Sequence, residues 1–401
     1  MHAPARKPAD LPFAARAEPR GVIHSPAQQP AALRVAFGIV SLFPGGGLQR
    51  NCLAIAQLVR KRGHEVVIFT SRTAGPLPGD LPIAHLPNRR LTNHGRNLQF
   101  AADLANATNG RFDLVVGFDK LSGVDVVYCA DPSIAARTGW RSLTPRHRVL
   151  RALEASCFAR TATTRIIALS PAQIDAYRRA WDTEHERIAL LPPNVDPARR
   201  HPERRLDGTR ETRRAALALE ADDWCWLAIG RQPHHKGFDR AIAALPEFPT
   251  ARLFIIGIEP SEKSGVGLRK SARRLGVEDR VTLLGFVPDD AVLDTMAAAD
   301  LLLHPARFDT TGTVILEAIV NGLPVVTTAI CGYASHVREA EAGAVVPEPF
   351  DRMALSAALT EAADRTRAAV WSANGTQYGE RPELYSGLEV AADLILRAAG
   401  N

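Results

Sequence analysis

Leu33-Arg34-Val35-Ala36-Phe37-Gly38-Ile39-Val40, then Phe43-Pro44-Gly45-Gly46-Gly47, then Glu65-Val66-Val67-Ile68-Phe69-Thr70: an apolar strand, a glycine turn and a second apolar strand decide the fold. Between the glycines and Arg62-Gly63-His64, the apolar residues Leu48, Leu53, Ala56 and Leu58 recur at helical spacing. Strand, helix and strand at this distance form a right-handed parallel unit. Residues 113–117, 124–128 and 165–169 read as later strands of the same sheet, and Ser170-Pro171 opens a helix with an N-cap and a first-turn proline. After 188–196 comes a charged stretch to about Arg214, which reads as a hinge region. The alternation then restarts with strands at 224–230, 252–257, 281–285, 300–304 and 324–328. Two such runs predict an α/β protein of two doubly wound, Rossmann-like domains facing a cleft, with ligands beyond the carboxyl ends of the strands.

Bulk properties agree. A chain of 401 residues is too long for one ordinary core. The net charge of +6 suits nucleotides, phosphorylated glycans, a membrane surface or nucleic acid, and chooses among none of them. Cys52, Cys129, Cys157, Cys225 and Cys331 are scattered without CxxC spacing, so they read as buried free thiols in a reducing compartment. No apolar run approaches a membrane span. Residues 1–29, rich in Pro, Ala and Arg, lack the apolar centre of a signal peptide, and the expectation is a disordered extension over 1–31 on a cytoplasmic protein.

Residues 309–317, D-T-T-G-T-V-I-L-E, carry the densest chemistry. They follow an apolar strand, turn on Gly312 and open a helix, so free backbone amides and a positive dipole end converge there. That point suits a diphosphate, and the flanking Asp309 and Glu317 suit neutral hydroxyls. Phosphate flanked by hydroxyls describes a nucleotide sugar; a solvated loop aspartate and a surface glutamate are the plain alternative. Gly46 and Gly47 open the first helix, either for close approach of a diphosphate or sugar or as an ordinary turn. The spacing is not G-x-G-x-x-G, and strand two ends in Thr70-Ser71-Arg72 without a ribose-binding acid, which argues against nicotinamide chemistry. Within 230–237, Arg231 and Lys236 are candidates to neutralise a departing diphosphate. No D-x-D or His/Asp cluster of metal-binding type accompanies them, so no metal is expected. Asp131, past a first-domain strand, either polarises a hydroxyl in the cleft or caps the next helix. His304 and His336 read as satisfied structural histidines.

Residues 134–160 set Arg137, Arg141, Arg146, Arg148, Arg151 and Arg160 against the single acid Glu154, with Trp140, Leu143 and Leu150 between them. This reads as a patch for an anionic membrane surface or substrate, or as a solvated face of a core helix. Nothing accompanies it that would mark a nucleic-acid site.

Four stretches together resemble a known family: F-P-G-G-G-L-Q-R at 43–50, G-F-D-K and C-A-D within 116–131, M-A-A-A-D-L-L-L-H-P-A at 296–306, and G-L-P-V-V-T-T-A-I-C-G-Y-A at 322–334. The chain resembles the GT-B-fold glycosyltransferases of the retaining family 4 type, and within them those that glucosylate inner-core heptose of lipopolysaccharide. The resemblance implies an acceptor-binding domain over 32–196, a nucleotide-sugar-binding domain over 197–380, and a helix in 381–401 crossing back to the first. It implies UDP-glucose as donor, a lipopolysaccharide inner-core acceptor at the cytoplasmic face of the inner membrane, and no cofactor or metal. Carried over by position, Gly46 and Gly47 lie against the donor, Lys236 and Arg199 reach the diphosphate, and the amides of Thr311, Gly312 and Thr313 assist. Glu317 holds ribose hydroxyls, Asp309 the donor sugar, and Asp131 sits near the reacting centre. Three positions depart from the pattern: Asp309 stands for Glu, His235 for a cation, and Asn51 for an acid. These bear on the donor sugar, because specificity arises in hydroxyl recognition. A UDP-N-acetylglucosamine 2-epimerase and a non-catalytic glycan- or membrane-binding protein are the rival functions for such a fold.

Overall fold

The computed structural model describes residues 32–43, 46–136 and 140–400. The extension expected over 1–31, together with Gly45 and Arg137, lies outside them.

The first lobe is a seven-stranded sheet of β1 (Arg34–Gly38), β2 (Glu65–Thr70), β3 (Ile83–His85), β4 (Leu114–Gly117), β5 (Val126–Cys129), β6 (Arg165–Ala168) and β7 (Ile188–Leu190). Its order is β3-β2-β1-β4-β5-β6-β7, with every pairing parallel. The second lobe repeats the plan with β8 (Trp224–Ile229), β9 (Ala251–Ile256), β10 (Val281–Gly285), β11 (Leu301–His304), β12 (Val325–Thr328) and β13 (Gly343–Val346), in the order β10-β9-β8-β11-β12-β13. Both sheets are buried on both faces, which explains the unbroken apolar runs of their strands. Val35 and Phe37 of β1 face one core layer with Ile55 and Val59, whereas Ala36 faces the other with Phe100 and Leu104. Cys225 and Leu227 of β8 divide from Trp226 and Ala228 in the same way.

Strand order reverses between β1 and β4 in one lobe and between β8 and β11 in the other. Such switch points open a crevice at the strand ends. The loops that follow β1, β8 and β11 carry Gly46 and Gly47, Lys236, and Asp309, whereas Asp131 follows β5 and Arg199 follows β7.

Two segments cross between the lobes side by side. The Val195 amide donates to the Leu384 carbonyl at 2.9 Å, and the Gly387 amide to the Pro193 carbonyl at 3.0 Å. Beyond the second crossing, the helix Gly387–Ala398 places Ala391, Ala392 and Ile395 in the core of the first lobe. Arg62 clamps it there through Glu389 (2.6 Å) and Asp393 (2.9 Å). The charged stretch 197–214 is fastened to the second lobe, unlike the free hinge its composition suggests. Arg205 and Arg210 donate to carbonyls of Ala297 and Ala299, where the helix Asp289–Ala298 ends. Cations at a helix C-terminus satisfy its orphan carbonyls and complement its dipole.

Candidate active site

The loop after β8 and the loop after β11 meet first. Arg307 forms a bidentate pair with Asp239 (2.6 and 2.7 Å), and its amide donates to the His235 carbonyl at 2.7 Å. Gly237 has φ +71°, and a Cβ there would lie 2.0 Å from the Pro305 carbonyl oxygen, so the two loops touch only because this residue is glycine. Lys236 is thereby aimed across the gap. Its Nζ lies 2.5 Å from Asp309 Oδ2, and the same oxygen lies 2.9 Å from His304 Nε2. Burial works against ionisation of Asp309, but His304 and Lys236 outweigh it and hold the carboxyl at about 2. Burial likewise opposes charge on His304, and its bond to Asp309 prevails, raising the imidazole to about 9. His304 thus orients Asp309 from within the buried strand, more than the merely structural histidine its setting in an apolar strand suggests.

Gly312, at φ +78°, turns the chain into the helix Thr313–Val320, whose first amides are free of side-chain capping. One and a half turns on, Glu317 pairs with Arg199 at 3.1 Å, and Arg199 also reaches Asp289 at 2.7 Å. Asn321 fixes this corner by donating to the carbonyls of Arg199 (2.8 Å) and Glu317 (2.7 Å). Burial raises the Glu317 carboxyl above its ordinary value, with Arg199 and Arg50 pulling the other way.

Glu317, Arg199, Thr311 and Thr313 line one side of a cavity of about 560 Å³, and Gly47, Arg50, Asn51 and Tyr128 of the first lobe line the other. Asn51 Nδ2 donates to Tyr128 Oη at 2.9 Å, so this neutral residue is part of the cleft wall. Gly46 caps the helix Gly47–Lys61, and no side chain competes for that helix's first amides. Arg50, Tyr128 and Tyr333 complete the wall beyond the residues the sequence marks, and Asn51, marked there as a departure from the family pattern, joins them; a period of about four from Gly47 through Asn51 is the signal for Arg50. Arg231 stands apart at the rim, exposed, with its guanidinium 4.7 Å from the centre of the Phe286 ring.

Asp131 lines a second cavity of about 210 Å³ within the first lobe, beside Asp119, Lys120 and Arg146. Asp119 accepts the Val40 amide at 2.7 Å, and burial chiefly, with Asp131 adding, raises its carboxyl to about 6. The helix Pro145–Phe158 lends Arg146, Leu150 and Leu153 to the lining, and Arg146, Arg148 and Arg151 are exposed on it. Arg151 lies over the Trp181 ring at 4.9 Å. The side chains of Trp140 and Arg141 lie outside the described residues. Among the described residues no three of His, Cys, Asp and Glu are grouped to hold a metal, and no helix is long and apolar enough to cross a membrane.

Known proteins resemble the chain in sequence and fold. Residues 45–199 match Glycosyltransferase Family 4, and residues 209–378 match Glycosyl transferases group 1. The chain is 36% identical over 373 residues to the lipopolysaccharide glucosyltransferase WaaG of Escherichia coli, covering 90% of this chain and 98% of that protein. The crystal structure of WaaG, a glycosyltransferase involved in lipopolysaccharide biosynthesis, superposes with a TM-score of 0.81 over 90% of this chain and 99% of that one. The fold alone is shared with Anabaena HepE in complex with UDP-glucose, at 20% identity and a TM-score of 0.69, covering 91% of this chain and all of that one.

Proposed function

The chain belongs to glycosyltransferase family 4, with the GT-B fold, and is a hexosyltransferase. From that premise we propose that it moves glucose from UDP-glucose onto an inner-core heptose of lipopolysaccharide, with retention at the anomeric carbon and without a metal. The observation that carries this reading is the frame formed by Lys236, Asp309, the helix start at Thr313 and Glu317 with Arg199.

In this mechanism Glu317 takes the ribose end of the donor, and Arg199, paired with it, reaches toward the diphosphate. The diphosphate lies over the free amides of Thr311 to Thr313 and draws Lys236, whose ammonium is already held at the required place by Asp309. The bond from the anomeric carbon to the β-phosphate oxygen breaks, and both electrons leave with UDP. Fixed positive charge favours that step because negative charge grows on the β-phosphate. The acceptor hydroxyl attacks the same face of the oxocarbenium-like sugar, and its proton passes to the departing phosphate. Asp131, on the first-lobe side, orients that hydroxyl. Arg146, exposed and lining the Asp131 cavity, and Arg148, exposed on the same helix, support peripheral binding to an anionic membrane surface from the cytoplasmic side.

The test is a panel of UDP-sugars offered with a deep-truncated lipopolysaccharide acceptor, with the anomeric configuration of the product determined. Glucose transfer with retention is the expected result. Inversion, or donor turnover that needs no acceptor, overturns the reading.

A further inference from the structure

The one acid of the basic helix, Glu154, does not face solvent. Its side chain is 0% exposed and it accepts five hydrogen bonds. Lys120 Nζ (2.7 Å) and the Ile134 amide (2.5 Å) reach Oε2. Ser133 Oγ (2.7 Å), the Ala135 amide (3.0 Å) and Trp181 Nε1 (2.8 Å) reach Oε1. Burial works against its charge, and Lys120 with the two amides outweighs that, holding the carboxyl below its usual range. A buried carboxylate persists as an ion only when paired and fully bonded, as this one is.

Four of the five donors come from the two segments that wall the Asp131 cavity. Lys120 follows β4 and also donates to the Pro132 carbonyl at 2.5 Å. Ser133, Ile134 and Ala135 follow Asp131 after Pro132. The Asp131 carbonyl is held from the other side by Tyr177 Oη (2.9 Å) and Gln173 Nε2 (3.2 Å). Asp131 thus has its backbone fastened on both sides while its side chain stays exposed at the cavity.

We propose that Glu154 is a positioning residue for the transfer, which fixes the Asp131 loop and Lys120 to the basic helix so that the acceptor cavity keeps one geometry. The proposal rests on the reading of that cavity as the acceptor site. The helix then has two jobs: it exposes arginines along its length, and through Glu154 it sets the register of Asp131. Whatever surface the arginines settle on is thereby placed at a fixed offset from the acceptor hydroxyl. Reacting groups displaced by about 1 Å lose roughly a hundredfold in rate, so such fastening is catalytic in effect even without contact.

Two substitutions that each remove one donor to the same carboxylate oxygen separate positioning from mere support. Ser133→Ala removes a donor that belongs to the Asp131 loop; Trp181→Phe removes one that belongs to the neighbouring helix. Full-length variants are assayed with UDP-glucose and truncated lipopolysaccharide, alongside their melting temperatures. Ser133→Ala is expected to lower kcat/KM for the acceptor about tenfold with the donor KM unchanged, while Trp181→Phe stays within about twofold. Glu154→Gln, if it folds, is expected to lose about a hundredfold on the same parameter. Equal losses in Ser133→Ala and Trp181→Phe, or none in Ser133→Ala, overturn the proposal. An Asp131→Ala variant with full transfer overturns the acceptor-site reading, and the proposal with it.

Discussion

The two lobes share a topology and differ in how they hold their functional groups. In the second lobe the charges are matched before any ligand arrives: Lys236 and His304 on Asp309, Arg199 on Glu317. In the first lobe, Asp131 and Arg146 are exposed at their cavity, and the pair behind them, Lys120 on Glu154, anchors the loop that carries Asp131. A frame of prearranged charges suits a ligand whose charged part never varies, such as a nucleoside diphosphate. An open cavity with fixed walls suits a large acceptor presented from a surface. The contrast is one of division of labour, and preorganisation is found where charge must be stabilised at the moment of bond breaking.

Variants can break or sharpen this contrast. The largest effect is expected for Lys236→Ala: about 2–4 kcal/mol of transition-state stabilisation, or two to three decades in kcat, with near-normal turnover ruling out its role at the diphosphate. Glu317→Gln keeps the shape and drops the charge, so donor KM rises by about ten- to a hundredfold, since hydrogen bonds to a charged group contribute roughly 1.5–3 kcal/mol. Acceptor KM should stay put; movement in that parameter instead erases the distinction between the lobes. Arg148→Gln should weaken binding to anionic vesicles by about fivefold, at roughly 1 kcal/mol per arginine, and leave kcat with a soluble acceptor unchanged. The smallest effect concerns pH. His304 is raised to about 9, so its contribution to stability is complete below its ordinary value of ~6.5 and fades as pH rises through 9. Asp309, held at about 2, contributes above ~3.9 and fades as pH falls toward 2. The melting temperature of the wild type should therefore fall between about pH 6.5 and 9, and that slope should be absent in His304→Gln.

Much of this molecule is legible in its sequence, for a physical reason. Parallel strands buried on both faces write themselves as apolar runs, and the glycines that turn them into helices mark the strand ends where ligands bind. The frame around residues 309–317 is legible because both carboxylates and the helix start lie within nine consecutive residues. What a sequence conceals is the partner of a charge. Residues 197–214 look like a solvated hinge, yet Arg205 and Arg210 are engaged by a helix end nearly a hundred positions away. Glu154 looks like a counter-charge on a basic surface. The buried Leu153, Cys157 and Phe158 on its own helix show that it shares the inward face, and helical spacing could have found it. His304 resembles any core histidine until the chain folds back five residues later to bring Asp309 against it.

The return of residues 387–398 to the first lobe has a consequence for how the molecule is made. Ala391, Ala392 and Ile395 fill the core layer that Val35, Phe37 and the helix Gly47–Lys61 begin. During synthesis, domains usually fold as units in the order they emerge. Here the lobe that leaves the ribosome first waits with an apolar face uncovered while the whole second lobe is translated and folds. The earlier half is the later one to be finished, and the aggregation-prone interval of this protein belongs to its N-terminal sheet.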